Sequence, residues 1–181
     1  MVKKMELIKT IEIPEGIEAK IENNEVTIKG PLGELKRRFP NFLIITKEEN
    51  KIVVTTEKKT KKEKKEINTN AAHIKNMILG VMKKFVYKLQ ICAVHFPMNV
   101  SVQGSEIIIK NFLGERKDRK TNILPNVDVK IEKDIITVES NNKESAGQTA
   151  ANIEKKSKVR CKDRRIFQDG IFMIEKAGRA I

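Results

Sequence analysis

The sequence predicts an α+β fold of two tandem, similar domains, each a small, mostly antiparallel sheet packed on a helix. Three observations carry that reading. One phrase is written twice, "KGPLGE" at Lys29 to Glu34 and "KNFLGE" at Lys110 to Glu115, each time straight after a short apolar run. The segments flanking the two copies agree in kind and in order. Each copy is then followed by a helical segment, and a repeat on this scale governs how the whole fold is read.

The elements follow in chain order. "IEAKIENNEVTIKG" alternates Ile17, Ala19 and Ile21, turns at Asn23-Asn24 and resumes at Val26 and Ile28. Its counterpart "NVSVQGSEIIIKN" alternates Val100 and Val102, turns at Gly104-Ser105 and resumes at Ile107 to Ile109. Period-two spacing turns one face inward, and Asn or Gly tolerates the positive φ of a tight turn, so both read as β-hairpins. Within the repeated phrase, Gly33 or Gly114 lets the backbone turn and Leu32 or Leu113 is expected to tuck under the sheet. Glu34 and Glu115 have no partner carboxylate or His at a defined spacing, so they read as turn or salt-bridge residues.

A basic stretch comes next, then Pro40-Asn41 or Pro125-Asn126, then a second strand pair that turns at Glu49-Asn50 or Lys133-Asp134. Ile67, Ala71, Ile74 and Ile78 share one face of a helix, and "NAAHI" at Asn70 to Ile74 aligns with "TAANI" at Thr149 to Ile153. Gly80-Val81 and Gly170-Ile171 are expected to close the two helices. Each leads into a last apolar strand, Val81 to Ile91 and Ile171 to Ile174. The domains on this reading are 1–92 and 93–181, joined near Cys92 to Pro97.

Lys and Arg outnumber Asp and Glu by 37 to 24, a net charge of +13, which points to an anionic partner. No stretch approaches the roughly 18–20 apolar residues of a membrane-crossing helix. Met1 to Ile11 carries Glu6 and Lys9 where a signal peptide needs an unbroken apolar run, so a soluble, unexported protein is expected. Cys92 and Cys161 are too few and too far apart for a disulfide framework or a zinc site, and are expected to be packed, reduced thiols. His73 and His95 are isolated, and no Gly-Lys-Ser/Thr phosphate loop follows a strand. The sequence therefore predicts no catalytic residue, no metal, no cofactor, no small-molecule substrate and no membrane partner.

Charge is concentrated in the second copy. Lys110, Arg116, Lys117, Arg119 and Lys120 face only Glu115 and Asp118. Lys155, Lys156, Lys158, Arg160, Lys162, Arg164 and Arg165 face Glu154 and Asp163. Arginine's planar fork binds phosphate bidentately and stacks on bases, so both clusters are candidate RNA contacts, although a charge run is also how a solvated face reads. Lys29, Lys36, Arg37 and Arg38 are candidates for secondary RNA or protein contacts. Lys58 to Lys65, "KKTKKEKK", reads as a solvated loop or helix entrance. The seven Phe and one Tyr mostly sit in apolar runs that core packing explains, which favours recognition of RNA by backbone and shape over base stacking.

Taken together, "IPEGIEAKIENNEVTIKGPLGELKRRF", "NMILGV", "FVYKLQICAVHFPMNV", "IIIKNFLGE" and "KDRRIFQDGIF" occur in order from about Ile11 to Lys176. In this the chain resembles the universal large-subunit ribosomal protein six family, in its cytosolic eukaryotic form, large-subunit protein nine. The resemblance implies a structural constituent of the large ribosomal subunit in the cytoplasm, with large-subunit rRNA and neighbouring ribosomal proteins as partners. It further implies a place near the sarcin-ricin loop and the docking region of translational GTPases, and RNA contact mainly through the second domain. The "AVHFPMNV" and "FLGE" wording points to the branch that eukaryotes and archaea share. The alternative is a free-standing basic assembly factor or RNA chaperone on the same duplicated scaffold.

Overall fold

A computed structural model describes residues 8–56 and 60–181, so the Lys58 and Lys59 part of the basic run lies outside the described residues. The chain divides into two compact units, Met1–Lys84 and Phe85–Ile181.

The first unit opens with β1 (Lys9–Glu12), then β2 (Glu18–Glu22), β3 (Glu25–Gly30) and β4 (Gly33–Arg38), then β5 (Leu43–Glu48) and β6 (Lys51–Thr56), and closes with α1 (Lys61–Met82). Two antiparallel three-stranded sheets result, ordered β2-β3-β4 and β1-β6-β5. The expected turns hold: Asn23 and Asn24 take φ of 46° and 62°, and Glu49 takes 42°. Asn in that region costs little, because its short side chain can hydrogen-bond locally. Thr60 and Glu63 start α1 with a reciprocal capping box, which satisfies two backbone N–H groups of the first turn. The helix face read from the sequence is the buried one. Ile67, Ala71, Ile74 and Ile78 pack in one core with Ile11, Val26, Ile28, Leu43, Ile52 and Val54.

Two expectations fail in this unit, for one reason. Gly80 does not end the helix, which continues to Met82 and stops at Lys83 in an extended conformation. The extra residues bring Val81 under the repeated phrase: its carbonyl accepts from the Leu32 N–H at 3.1 Å, and its side chain sits where a Cβ on Gly30 would lie, 2.8 Å from Val81 Cγ2. Leu32 consequently does not tuck under the sheet and remains 41% exposed. The first copy of the phrase is a tight turn that docks the end of a helix.

The second unit repeats the order with one addition. β7 (Phe85–Cys92) leads to β8 (Asn99–Gln103), β9 (Glu106–Lys110) and β10 (Arg119–Asn122), then to β11 (Asp128–Glu132) and β12 (Ile135–Ser140). α2 (Lys143–Lys156), β13 (Gly170–Lys176) and β14 (Arg179–Ala180) complete it. The sheets are β10-β9-β8 and β11-β12-β7-β13-β14. β7 thus takes the position beside the β11–β12 hairpin that β1 takes beside β5–β6.

The expected boundary near Cys92 to Pro97 is therefore corrected to Lys84/Phe85, so that 85–92 opens the second unit and does not finish the first. Its Phe85-to-Gln90 stretch pairs with β12, and Leu89 to Cys92 pairs with β13, which buries Tyr87 and Leu89 in the second core. Gly170 likewise starts β13 and closes no helix, since α2 ends at Lys156 and an irregular segment intervenes. Asn142 caps α2 by accepting from the Glu144 N–H at 3.0 Å, and Ala146, Thr149, Ala150 and Ile153 form its buried face.

Because the Val81 carbonyl is 3.2 Å and its side-chain carbons are under 3.0 Å from any Cβ at position 30, Gly30→Ala is expected to lower unfolding stability by about 1–3 kcal/mol. Urea titration checks this. Pairing it with Val81→Ala should cost less than the sum of the two single changes, because the second change vacates the contested space.

Candidate nucleic-acid interface

The second copy of the phrase is not the turn that the first one is. Between β9 and β10 the chain runs from Asn111 to Asp118 as an open loop containing one turn of 3-10 helix at Phe112–Gly114. Asn111 and Leu113 sit at φ of 58° and 51°. Asn111 holds that conformation while its Nδ2 donates to the Pro97 carbonyl at 2.8 Å. The residue that tucks under the sheet is Phe112, 1% exposed, with Leu113 packed partly against the same core.

Arg119 lies across this loop. Its guanidinium carbon is 3.9 Å from the centre of the Phe112 ring, a close cation–π distance. Nε and Nη2 donate to the two carboxylate oxygens of Glu115 at 2.8 and 2.5 Å, and Nη1 donates to the Lys156 and Lys158 carbonyls at 2.7 and 3.3 Å. One fork therefore ties the β9–β10 loop to the end of α2, leaving little of itself to offer a partner. Hydrogen bonds from Arg119 hold the Glu115 carboxyl below its ordinary value against a smaller opposing effect of burial, and the charges of Arg119 and Lys162 add to the lowering. The two basic clusters thus meet on one face of the second unit.

The segment from Ser157 to Asp169 is held at both ends by buried polar groups. Ser157 Oγ accepts from the Ile171 N–H at 2.9 Å and donates to the Glu154 carbonyl at 3.1 Å, which fastens the α2 terminus to β13. Asp169 is buried and accepts from the Val94 and His95 N–H groups at 2.7 and 2.9 Å, with His95 Nδ1 at 2.6 Å from its second oxygen. Burial alone raises the Asp169 carboxyl; the three hydrogen bonds and the His95 charge outweigh it, and the net shift is downward. The His95 ring stacks on Phe167 at 4.9 Å.

On this frame Lys110, Arg116, Lys117, Lys120, Lys155, Lys156, Lys158, Arg160 and Arg164 are exposed, with no side-chain ion pair or hydrogen bond among the described residues. Lys155 and Lys156 also lie in the last turn of α2, where cations suit the helix dipole. Lys162 stands 4.5 Å from the Phe167 ring centre, and Arg165 forks onto Asp163 at 2.8 Å. The first-unit candidates are compensated. Lys29 pairs across strands with Glu18 and Glu34, Lys36 forms a 3.1 Å ion pair with Glu34, and Arg38 faces Glu25. Arg37 lies 5.9 Å over Phe39.

Sequence reasoning missed Ser157, His95 and Asp169 as organisers of the site; only the Asp169-Gly170 pair hinted at a turn there. It also overstated aromatic burial, since Phe42, Phe96 and Phe172 are exposed. Cys161, expected to be packed, is exposed at a φ of 56°, and both cysteines are free. No group of three or more potential metal-binding side chains occurs among the described residues, and none of their helices is long and apolar enough to cross a membrane.

Comparison with known proteins gives a family match in each unit. The family model described as ribosomal protein L6 matches residues 13–84 and 96–170. The chain is 48% identical over 168 residues to a large ribosomal subunit protein uL6 of Methanobrevibacter smithii, covering 92% of this chain and 94% of that one. It is 45% identical over 174 residues to the uL6 of Methanosarcina mazei, covering 95% and 98%. The uL6 of Sulfurisphaera tokodaii is 42% identical, with 96% and 95% covered.

Replacing Arg119 by Lys keeps the charge but loses the fork, so unfolding stability should fall by about 1–3 kcal/mol, and amide exchange should quicken in the Asn111 to Asp118 loop. Asp169→Asn is expected to be destabilising at neutral pH by a similar, about 1–3 kcal/mol, amount. The sign of its pH dependence follows from the lowered folded value. The carboxylate's contribution is complete above the unfolded value of 3.8 and is lost as pH falls through the folded one. Thermal melts of the native chain and the variant should therefore converge only below that value.

Proposed function

The chain belongs to the ribosomal protein L6 family, non-catalytic components of the large ribosomal subunit, and on that footing we propose that its second unit anchors it to large-subunit rRNA. The observation that carries the reading is the Arg119 fork. By holding the β9–β10 loop against the α2 terminus, it turns two separate basic segments into one cationic face. Such a face suits the phosphates of folded RNA, whose positions are set by helix geometry and not by base identity.

Arg116, Lys117 and Lys120 from the loop, with Lys110 beside it, act with Lys155, Lys156, Lys158, Arg160, Lys162 and Arg164 as the phosphate-neutralising set. Arg165 joins it by releasing or sharing Asp163. Arg119 is a positioning residue. The first unit, whose cations are matched by Glu18, Glu25 and Glu34, serves as a platform for neighbouring ribosomal proteins or RNA. The resemblance seen in the sequence supports a location near the sarcin-ricin loop and the region where translational GTPases dock. It also supports a cytoplasmic ribosome; the eukaryotic form is narrowed to the branch shared with archaea, because the relatives compared are archaeal.

Sedimentation of a tagged copy through sucrose gradients at moderate and high salt tests the proposal. Stoichiometric presence in mature large subunits and in translating ribosomes is expected. Confinement to light fractions or precursor particles would replace the structural role by that of a shuttling assembly factor. In direct binding to large-subunit rRNA, the double change Arg116→Glu and Lys117→Glu should weaken affinity. It should also reduce the slope of log affinity against log salt by roughly 1 for each phosphate that is no longer neutralised.

A further inference from the structure

Adjoining the cationic face, and sharing Lys155, Lys158, Arg164 and Arg165 with it, the second unit contains a cleft of about 770 Å³. This lies within the roughly 300–1,000 Å³ typical of small-molecule pockets. It is bounded by the Ser157 to Asp169 segment, the end of β7 and the start of β13. Its floor is apolar, with Val159 and Ile171 buried and Phe167 half-buried. Its rim carries Lys155, Lys158, Arg164 and Arg165 against Glu154. The other carboxylate lining it, Asp169, is already engaged by Val94 and His95.

Val94, 69% exposed, and one aromatic side chain are the apolar groups that the cleft leaves open to solvent. Phe172 is 39% exposed although it is a large aromatic group, and it lines the same cleft as the four cations. Its ring lies against the backbone of Gly170, where any Cβ would come within 3.0 Å of the ring tip, so glycine at that position lets the ring lie close. Phe167 differs, because its ring is already in contact with His95 and with Lys162. Phe172 makes no ring or cation contact among the described residues. An aromatic ring left partly open in a cleft whose lining also carries Lys155, Lys158, Arg164 and Arg165 is complementary to a planar base carried between phosphates.

We propose that this cleft receives one RNA base extruded from its stack, lying on the Phe172 ring, with the adjoining phosphates on Arg164 and Lys158. The inference rests on the rRNA-anchoring role proposed above and adds to it a point of base contact. Extrusion costs least for a nucleotide that is already unpaired, so the RNA element is a loop or bulge and not a continuous duplex.

Ultraviolet, zero-length cross-linking of native large subunits that contain the chain, followed by digestion and mass spectrometry, should place a nucleotide adduct on the peptide containing Phe172. In equilibrium binding of the full chain to large-subunit rRNA, Phe172→Leu should lose roughly 5- to 100-fold in affinity, the range for one stacked base. Phe172→Tyr, which keeps the ring, should bind like the native chain. The salt slope should be unchanged in both, because no phosphate-binding cation is removed. Native affinity in Phe172→Leu, or adducts confined to the Asn111 to Asp118 loop, would overturn the base site while leaving the phosphate face standing. Peptide-to-peptide cross-links at Lys155 or Lys158 without a nucleotide adduct would assign the cleft to a neighbouring protein and overturn it as well. A chain that bound no large-subunit rRNA and was absent from large subunits would overturn both this inference and the reading it rests on.

Discussion

Arg119 uses its charge inside the molecule, and the cations around it are presented because it does. Ordering a loop as open as Asn111 to Asp118 costs a conformational entropy of roughly 1–2 kcal/mol per fixed residue. Guanidinium hydrogens reaching one carboxylate, two carbonyls and an aromatic face oppose that cost at a single point. The contact is strong because its parts are mutually supporting. Phe112 is buried beneath the guanidinium, so the cation's attraction to the ring is not diluted by water on that side, and Glu115 is ionised well below neutral pH. The neighbouring Arg116 and Lys117, by contrast, remain in solvent, where a charge is easily held and quick to engage.

The duplicated phrase shows how one sequence solution diverges. In both units the connection between the second and third strands of a three-stranded meander must meet the helix-bearing half of the same unit. The first copy meets it through absence, with Gly30 leaving room for Val81 and a tight turn at Pro31 and Leu32. The second meets it through bulk. Phe112 fills the space below, and the loop grows outward around it. Where the first copy has Gly30-Pro31 the second has Asn111-Phe112, and this pair of changes goes with the difference between a packing joint and a projecting surface.

Much of the architecture was legible because it is written locally. Alternation at Ile17 to Ile28 and Val100 to Ile109 specifies hairpins, and the spacing of Ile67, Ala71, Ile74 and Ile78 specifies a buried helix face. What was misread is set by partners remote in sequence. Val81 to Ile91 is one apolar run by composition; its first residues are helical because Val81 is needed at Gly30, and the rest is strand because it pairs with 135–140 and 170–176. The cationic clusters were visible from charge alone, but Arg119 and Arg116 are identical letters whose different tasks depend on Phe112 and on two carbonyls far along the chain. His95 and Asp169 are separated by 74 positions, and nothing in the sequence signalled that they pair.

The placement of β7 has a bearing on how the chain is made. Every described strand and the helix of the first unit have been added once Met82 is joined, so that unit has all its partners at an early stage of synthesis. The strand added next, Phe85–Cys92, sits between two neighbours that arrive long after it, β12 and then β13. Until residue 176 has been added, one of its edges has no neighbour, and a bare edge is what invites wrong pairing between nascent chains. The half that carries the cationic face is thus also the half that folds last. A growing chain cannot display the finished cationic face before almost all of that half has been synthesised.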